Sequence, residues 1–382
     1  MLKIHLADQE KFARGYDQNS KVIVLNPKEE RTLHEFYEAH EHYKNWFFLG
    51  QGAVFGPGLE AQDGHLTELT DFSFVGGHLE CLPTFPKLRR LKLSLKKHGD
   101  VAPLSQLAEL TELEIHGGRI QDISPLAALT KLQRLYILGM SMIEDLTPLA
   151  NLKSLKCLDL SGGSFKDLSP LGGLTGLVNL SIRLTRTLRD LGPLAGLQGL
   201  ESLDLAGNMI GDLSPLAGLP ALTSLTLALN PDLEAGSWGK ISSLRELNLA
   251  VCGLEDLAFL ADLPGLERLI LVNNLIVDLA PLAQMTALKE LVLYSNKISD
   301  LAPLAGLTAL ERLDLSRNKL RDLKPLSGLT ALRHLDLSHN QISDLTPLSR
   351  LTALTDLDLK RNRLRRQRDH TLMRDEEHSH GQ

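Results

Sequence analysis

Residues 330–351 read TALRHLDLSHNQISDLTPLSRL. From His334 to Ser338 apolar and polar side chains alternate, which describes a short strand with one buried face. Leu335 and Leu337 therefore point inward. Asn340 follows at the bend, where an amide suits the backbone groups of its own turn and the next one, which would otherwise be buried without partners. Ile342, Leu345, Leu348 and Leu351 fill the remaining inward positions. Asp344-Leu345-Thr346-Pro347 opens a return segment. The aspartate suits a cap or tight turn, and the proline suits the first turn of a short helix or 3₁₀ piece.

This unit recurs. Its leading leucine, Leu332, has counterparts at positions 69, 88, 110, 132, 155, 177, 200, 222, 244, 266, 288, 310 and 354, so the steps are 19, then 22 with two of 23. Asn208, Asn230, Asn274, Asn296, Asn318 and Asn362 match Asn340, with Cys252 once, and the Asp-x-x-Pro element returns at Asp122, Asp145, Asp167, Asp190, Asp212, Asp278, Asp300 and Asp322. A fixed period of this length is the signature of a solenoid. One repeat cannot bury its leucines alone, but stacked repeats share a continuous core, and their strands must lie parallel in one long sheet.

The pattern LxxLxLxxNxIxDLxPLxxL resembles leucine-rich repeat proteins of the 22-residue, internalin-like class over roughly 300 of the 382 residues. The resemblance implies an α/β solenoid: a right-handed horseshoe with a parallel concave β-sheet, short 3₁₀, helical or extended convex segments, and a non-enzymatic role in binding another macromolecule. The amino-terminal MLKIHLADQEKFARGYD has charges where a signal peptide needs an apolar run, and no surface-anchor motif or further domain is recognised. The extracellular setting of secreted internalins is therefore not carried over, and a cytoplasmic protein is expected.

Composition agrees with that expectation. No stretch approaches the 18 or more uninterrupted apolar residues of a membrane span. The cysteine count is three; an odd number, with Cys157 on an exposed strand position and Cys252 in place of an asparagine, argues against disulfide stapling and for a reducing compartment. Net charge is −6 with both signs interspersed. Nucleic acid would want a basic stripe and is not expected as a partner. No cofactor is expected, and the chain is taken as a monomer.

Three regions differ along the chain. Residues 1–65 hold 9 of the 17 aromatic residues, lack the repeat, and read as a small α/β cap that covers leucines the first coil would otherwise expose. Asn26-Pro27-Lys28-Glu29-Glu30 marks a helix start, with Leu33, Phe36, Tyr37 and His40, and in one reading Phe47, at helical spacing. Val22–Leu25 and Trp46–Leu49 read as strands. Residues 66–364 form the solenoid. Its repeats are irregular up to Leu197, where Lys96, Gly118 and Gly163 replace the asparagine, and nearly uniform afterwards. NPDLEAGSWGKI after Leu229 lacks the Asp-x-x-Pro element, and its Trp238 is expected to pack locally on the convex side. Residues 365–382 read as a charged terminus.

Several motifs fail as chemistry. Gly50-Gln51-Gly52-Ala53-Val54-Phe55-Gly56-Pro57-Gly58 lacks the Lys and Ser/Thr of a phosphate loop and reads as a turn-rich linker. His34, Glu38 and His42 share a helical face at metal-ligand spacing, but that face opposes the apolar one and reads as solvated. His334, Asp336 and Ser338 have the residue types of a hydrolase triad, yet alternate strand positions stand about 6.6 Å apart and no oxyanion donors are evident.

The concave sheet remains. Its middle, with Ala206, Ala228, Ala250, Ile270, Val272, Val292 and Tyr294, is smooth and weakly polar, flanked by Arg268 and Glu290. Small residues let a partner approach, and a tyrosine beside aliphatics is an anchor of the usual kind; alanine and valine equally suit a crowded inner curve. Beyond it Asp314, Asp336 and Asp358 stack, joined by Asp356 and neighboured by Arg312, His334 and Lys360. Three like charges in register should raise one another's pKa unless a cation sits among them, and LDLSxN is also a common filling of this repeat. The sequence thus reads as a protein-interaction scaffold binding across repeats from Leu200 to Leu354, through Arg268, Ile270, Val272, Glu290, Val292, Tyr294, Arg312, Asp314, His334, Asp336 and Asp358. The alternative is an enzyme or regulatory switch with its chemistry or ligand in residues 1–65, near His34, His40 or His65.

Overall fold

The computed structural model describes residues 22–39, 47–50, 53–55, 59–63, 65–74, 79–95, 99–139, 142–233 and 241–364. Packing divides the chain into two compact units, Met1–Leu244 and Arg245–Gln382. Both are leucine-rich repeat solenoids in which each coil contributes a short strand, a bend and a 3₁₀ return.

The first unit opens with β1 (Val22–Val24), α1 (Pro27–Ala39), β2 (Phe47–Gly50) and β3 (Ala53–Phe55). The helix starts where Asn26 and Pro27 predict it: Asn26 Oδ1 accepts hydrogen bonds from the backbone N–H of Lys28 and Glu29, both at 3.1 Å, which satisfies two of the donors a helix start leaves open. Phe47 belongs to β2, not to the helix. The glycine-rich stretch is also more than a linker. Its Ala53-Val54-Phe55 is the middle strand of a three-stranded antiparallel sheet, order β1-β3-β2, because a short apolar run between glycines suits a strand paired on both sides.

β4 (Leu59–Gln62) and β5 (His65–Phe74) form an antiparallel hairpin. Parallel pairing begins between β5 and β6 (Arg90–Leu95) and continues through β7 (Glu112–Gly117), β8 (Arg134–Leu138), β9 (Cys157–Ser161), β10 (Asn179–Arg183), β11 (Ser202–Asp204) and β12 (Ser224–Thr226). A buried carboxylate ties the helix to the hairpin. Glu29, 1% exposed, accepts the Leu66 N–H at 2.7 Å through one oxygen and pairs with His65 Nδ1 at 2.9 Å through the other.

The second unit repeats one pattern through β13 (Glu246–Asn248), β14 (Arg268–Ile270), β15 (Glu290–Val292), β16 (Arg312–Asp314), β17 (His334–Asp336) and β18 (Asp356–Asp358), all parallel and in register. Backbone bonding between coils outlasts each three-residue strand: Leu315 N donates to Asp336 O at 2.8 Å and Arg317 N to Ser338 O at 2.9 Å. Leu335 and Leu337 are buried as predicted, as are Ile342, Leu348 and Leu351, while Leu345 is half-buried. Each fully buried leucine contributes about 1.5–3 kcal/mol. The return segments are 3₁₀ turns with proline in the first positions, except Ala258–Asp262, where Phe259 takes its place, and each preceding aspartate accepts the N–H two residues on, as Asp344 does from Thr346 at 2.9 Å.

The asparagines close the bend. Asn340 Nδ2 donates to Leu315 O, Leu337 O and Ser338 O at 2.9, 3.1 and 3.2 Å, and its Oδ1 accepts from Leu320 N at 3.0 Å. The amide thus serves its own coil and the preceding one, not the next. The residue before it takes positive φ in coil after coil: Asn273, Ser295, Arg317, His339 and Arg361, with Val251 at φ 60°. This geometry is strained for a β-branched residue.

Asn340→Ala removes four bonds from a buried site and is expected to cost roughly 2–4 kcal/mol, read as a lower midpoint of thermal or denaturant unfolding. Val251→Gly relieves the left-handed strain and is expected to raise stability by roughly 0.5–1 kcal/mol in the same measurement.

Candidate functional site: the outward face of the strands

Strand side chains alternate between core and surface, so β14–β18 present three columns away from the leucine core. The first holds Arg268, Glu290, Arg312, His334 and Asp356, the second Ile270, Val292, Asp314, Asp336 and Asp358. The third lies just past the strands and holds Val272, Tyr294, Ser316, Ser338 and Lys360. All eleven residues singled out in the sequence stand on this one face, neighbours in a column being about 4.8 Å apart.

Basic and acidic residues pair at the two ends of the first column: Arg268 Nε lies 3.1 Å from Glu290 Oε2 and His334 Nδ1 3.6 Å from Asp356 Oδ2. Ile270 and Val292 are direct cross-strand neighbours and half-buried. Val272 and Tyr294 continue the apolar area toward the bend. There the Arg317 guanidinium lies 5.7 Å from the centre of the Tyr294 ring, a cation–π arrangement that holds both side chains. Ala250 belongs to this unit, whereas Ala206 and Ala228 stand on the strand face of the first.

At the end of the aspartate column the cation that the expectation allowed for is present, Lys360 beside Asp358. Each carboxylate turns back onto its own chain: Asp314 accepts from Ser316 N at 2.9 Å, Asp336 from Ser338 N at 2.8 Å and Asp358 from Lys360 N at 2.8 Å. The Lys360 ammonium adds a second contact to Asp358 at 2.9 Å. Asp358 is accordingly held below the ordinary carboxylate value, first by the Lys360 N–H and then by the ammonium. The triad reading of His334, Asp336 and Ser338 fails on the same contacts. Ser338 is buried, Asp336 is occupied by its N–H, and His334 faces Asp356.

The first unit carries a polar network that the sequence reading passed over. Arg183 Nη2 binds Asp159 Oδ2 at 2.9 Å, its Nε lies 3.9 Å from Asp204 Oδ2, and Asp204 accepts the Ala206 N–H at 3.0 Å. Burial pushes the Asp204 carboxyl up, against the lowering effect of the Ala206 N–H and Arg183. Nearby, Glu114 joins Lys92 at 3.0 Å and His116; burial works to raise its pKa, but these bonds leave it below the ordinary value. The available signal was Arg183 itself, an arginine where the two adjacent coils hold Ser161 and Ala206.

Among the described residues no group of three His, Cys, Asp or Glu side chains is placed to hold a metal ion. The His34–Glu38–His42 reading, His40 and Trp238 lie outside the side chains that are described. No helix among the described residues is long and apolar enough to cross a membrane.

Comparison with known proteins follows the architecture. The family described as "Leucine Rich repeats (2 copies)" matches residues 286–328 and 330–367. An internalin, InlF, from Listeria monocytogenes is 33% identical with a TM-score of 0.66, over 78% of this chain and 91% of that one. The chain belongs to the internalin-like leucine-rich repeat family. A leucine-rich repeat protein of Leptospira interrogans, 24% identical over 76% of this chain and 82% of its own with a TM-score of 0.58, shares the fold. So does TLR13, solved in complex with ssRNA13, 24% identical over 76% of this chain and 43% of its own with a TM-score of 0.53. Among curated protein sequences none matches.

Asp204→Asn tests the first unit's electrostatics. A raised carboxyl pKa means that ionised Asp204 destabilises the fold above its unfolded value and is harmless once both states are protonated. The variant is expected to melt higher than the parent at pH 7, with the gap closing as the pH falls toward the ordinary carboxylate value of 3.8; thermal scans over that range check it.

Proposed function

We propose that this internalin-like chain is a non-enzymatic scaffold that binds a protein partner on the outward strand face of its second unit. The observation that carries this reading is the apolar pair Ile270 and Val292, in register on adjacent strands and bordered by charged pairs. An apolar centre inside a polar rim is the anatomy of a protein interface. Tyr294, held by Arg317, supplies the aromatic anchor that such centres favour. The rigid repeat backbone lowers the ordering cost of association. The outer boundary of the contact is formed by Arg268 and Glu290 on one side and by Arg312, His334 and the aspartates at 314, 336 and 358 on the other.

The same reading takes residues 1–65 as a cap, 365–382 as a charged terminus, and the protein as a cytoplasmic monomer that neither inserts into membranes nor binds nucleic acid. The buried Glu29–His65 link supports the capping role, since it fastens α1 to the first solenoid strand and leaves His65 engaged.

Replacing Val292 and Tyr294 together by aspartate is expected to abolish capture of the partner from a lysate of the native cell, identified by mass spectrometry, while leaving the thermal unfolding midpoint almost unchanged. An identical set of retained proteins with and without the substitutions contradicts the placement.

A further inference from the structure

The bend edge of the second unit carries two rows rich in positive charge, one just before the asparagines and one, interrupted by Gln341, just after them. Arg317 and Arg361 occupy the left-handed position of their coils, at φ 53° and 57°, with His339 between them at φ 57°. Lys297, Lys319 and Arg363 stand two residues further along, each with its backbone N–H bonded to the preceding coil at 2.8–2.9 Å. Arg321 flanks them. All six cations are exposed, and among the described residues none of them forms a salt bridge. The carboxylates that follow these rows in the chain, Asp300, Asp322 and Asp344, each accept the N–H two residues on, as do Asp314 and Asp358, three residues before Arg317 and Arg361. Such an array stands out in a chain with net charge −6.

The rows end in an apolar patch. Leu275 and Val277 occupy the places that Lys297 and Ser299 hold in the following coil, and they are 39% and 56% exposed. Solvent-facing leucine and valine at positions otherwise polar mark a contact surface.

We propose that this edge is a second binding surface, separate from the strand face, and that its occupant is an acidic protein segment with apolar residues at the end lying over Leu275 and Val277. Complementary charge steers such a segment and fixes its direction. A nucleic acid fits less well. Single strands need exposed aromatic faces for stacking, and the Tyr294 ring is already engaged by Arg317. The three turn aspartates would also repel a continuous phosphate backbone, whereas acidic side chains can be spaced between them.

The test is fluorescence anisotropy with the full chain and a dye-labelled synthetic peptide of two leucines, one serine and five alternating aspartates and glutamates. Binding is expected to weaken as salt rises from about 50 to 200 mM through screening. Arg317→Glu, Lys319→Glu and Arg361→Glu together should weaken it at least tenfold, and Leu275→Ser with Val277→Ser several-fold. The matching glutamine triple guards against a folding effect of charge reversal and should also bind more weakly, with the melting temperature of the parent. Ile270→Asp with Val292→Asp on the strand face should leave peptide affinity unchanged, so failure of this inference and failure of the strand-face reading are distinguishable. No binding by the parent, equal affinity in the charge variants, or tighter binding of an oligo-dT strand would overturn the proposal.

Discussion

From Asn208 onward the bends depend on one side-chain amide in every coil but that of Cys252. Where the strand ends, the backbone must reverse into the core, and its carbonyls and an N–H of the preceding coil would be buried without partners. The ladder asparagine answers both needs at once: its Nδ2 donates to two or three carbonyls, and its Oδ1 accepts an N–H from the coil before, as Asn296, Asn318 and Asn340 do in turn. A buried polar group left unmatched costs about 1–3 kcal/mol, so the amide is what permits a tight bend between a buried strand and a buried return. Leucine burial supplies the driving force, and the amide fixes the geometry in which it is realised.

That constraint shapes both surfaces of the second unit. With register fixed by the amides and the core leucines, strand residues one repeat apart become direct neighbours, so a substitution in one coil is read against the same position in the next. Basic and acidic neighbours then give cross-strand pairs, Ile270 and Val292 give an apolar centre, and successive aspartates turn to their own N–H groups. The positive-φ residue just before each amide throws its side chain outward on the bend edge, which is why Arg317 and Arg361 line up there. Exposed ion pairs of this kind contribute little to stability, about 0–1 kcal/mol each. Their consequence lies in what the face can recognise.

Much of this was legible in the sequence because a period is a global signal. The 22-residue step identified the strand, the 3₁₀ return with its Asp-x-x-Pro, and the inward leucines without reference to any single residue. The helix start at Asn26-Pro27 was readable for a local reason, the capping chemistry. What the pattern concealed depends on non-periodic contacts. β3 lies among glycines that suggested a linker, because strand pairing on both sides is invisible to a window of nine residues. Glu29 reads as an ordinary first-turn acid until its partner Leu66 N–H, far along the chain, is known. The direction in which the amides reach, back to the preceding coil, needs backbone coordinates. The Arg183 network is concealed because its column varies from coil to coil, from His116 and Leu138 to Tyr294 and Lys360, so that one arginine there signals nothing until its partners Asp159 and Asp204 are placed beside it.

The central claim is that the asparagine amides hold successive coils as one rigid presenting surface. Native-state hydrogen exchange at Ile276, Ile298 and Leu320, whose N–H groups donate to Asn296, Asn318 and Asn340, tests it most directly. The account predicts protection close to that of the core strand amides Leu291, Leu313 and Leu335. Exchange at the rate of exposed turn amides would contradict it, since the bends would then open independently of the sheet they are argued to fix.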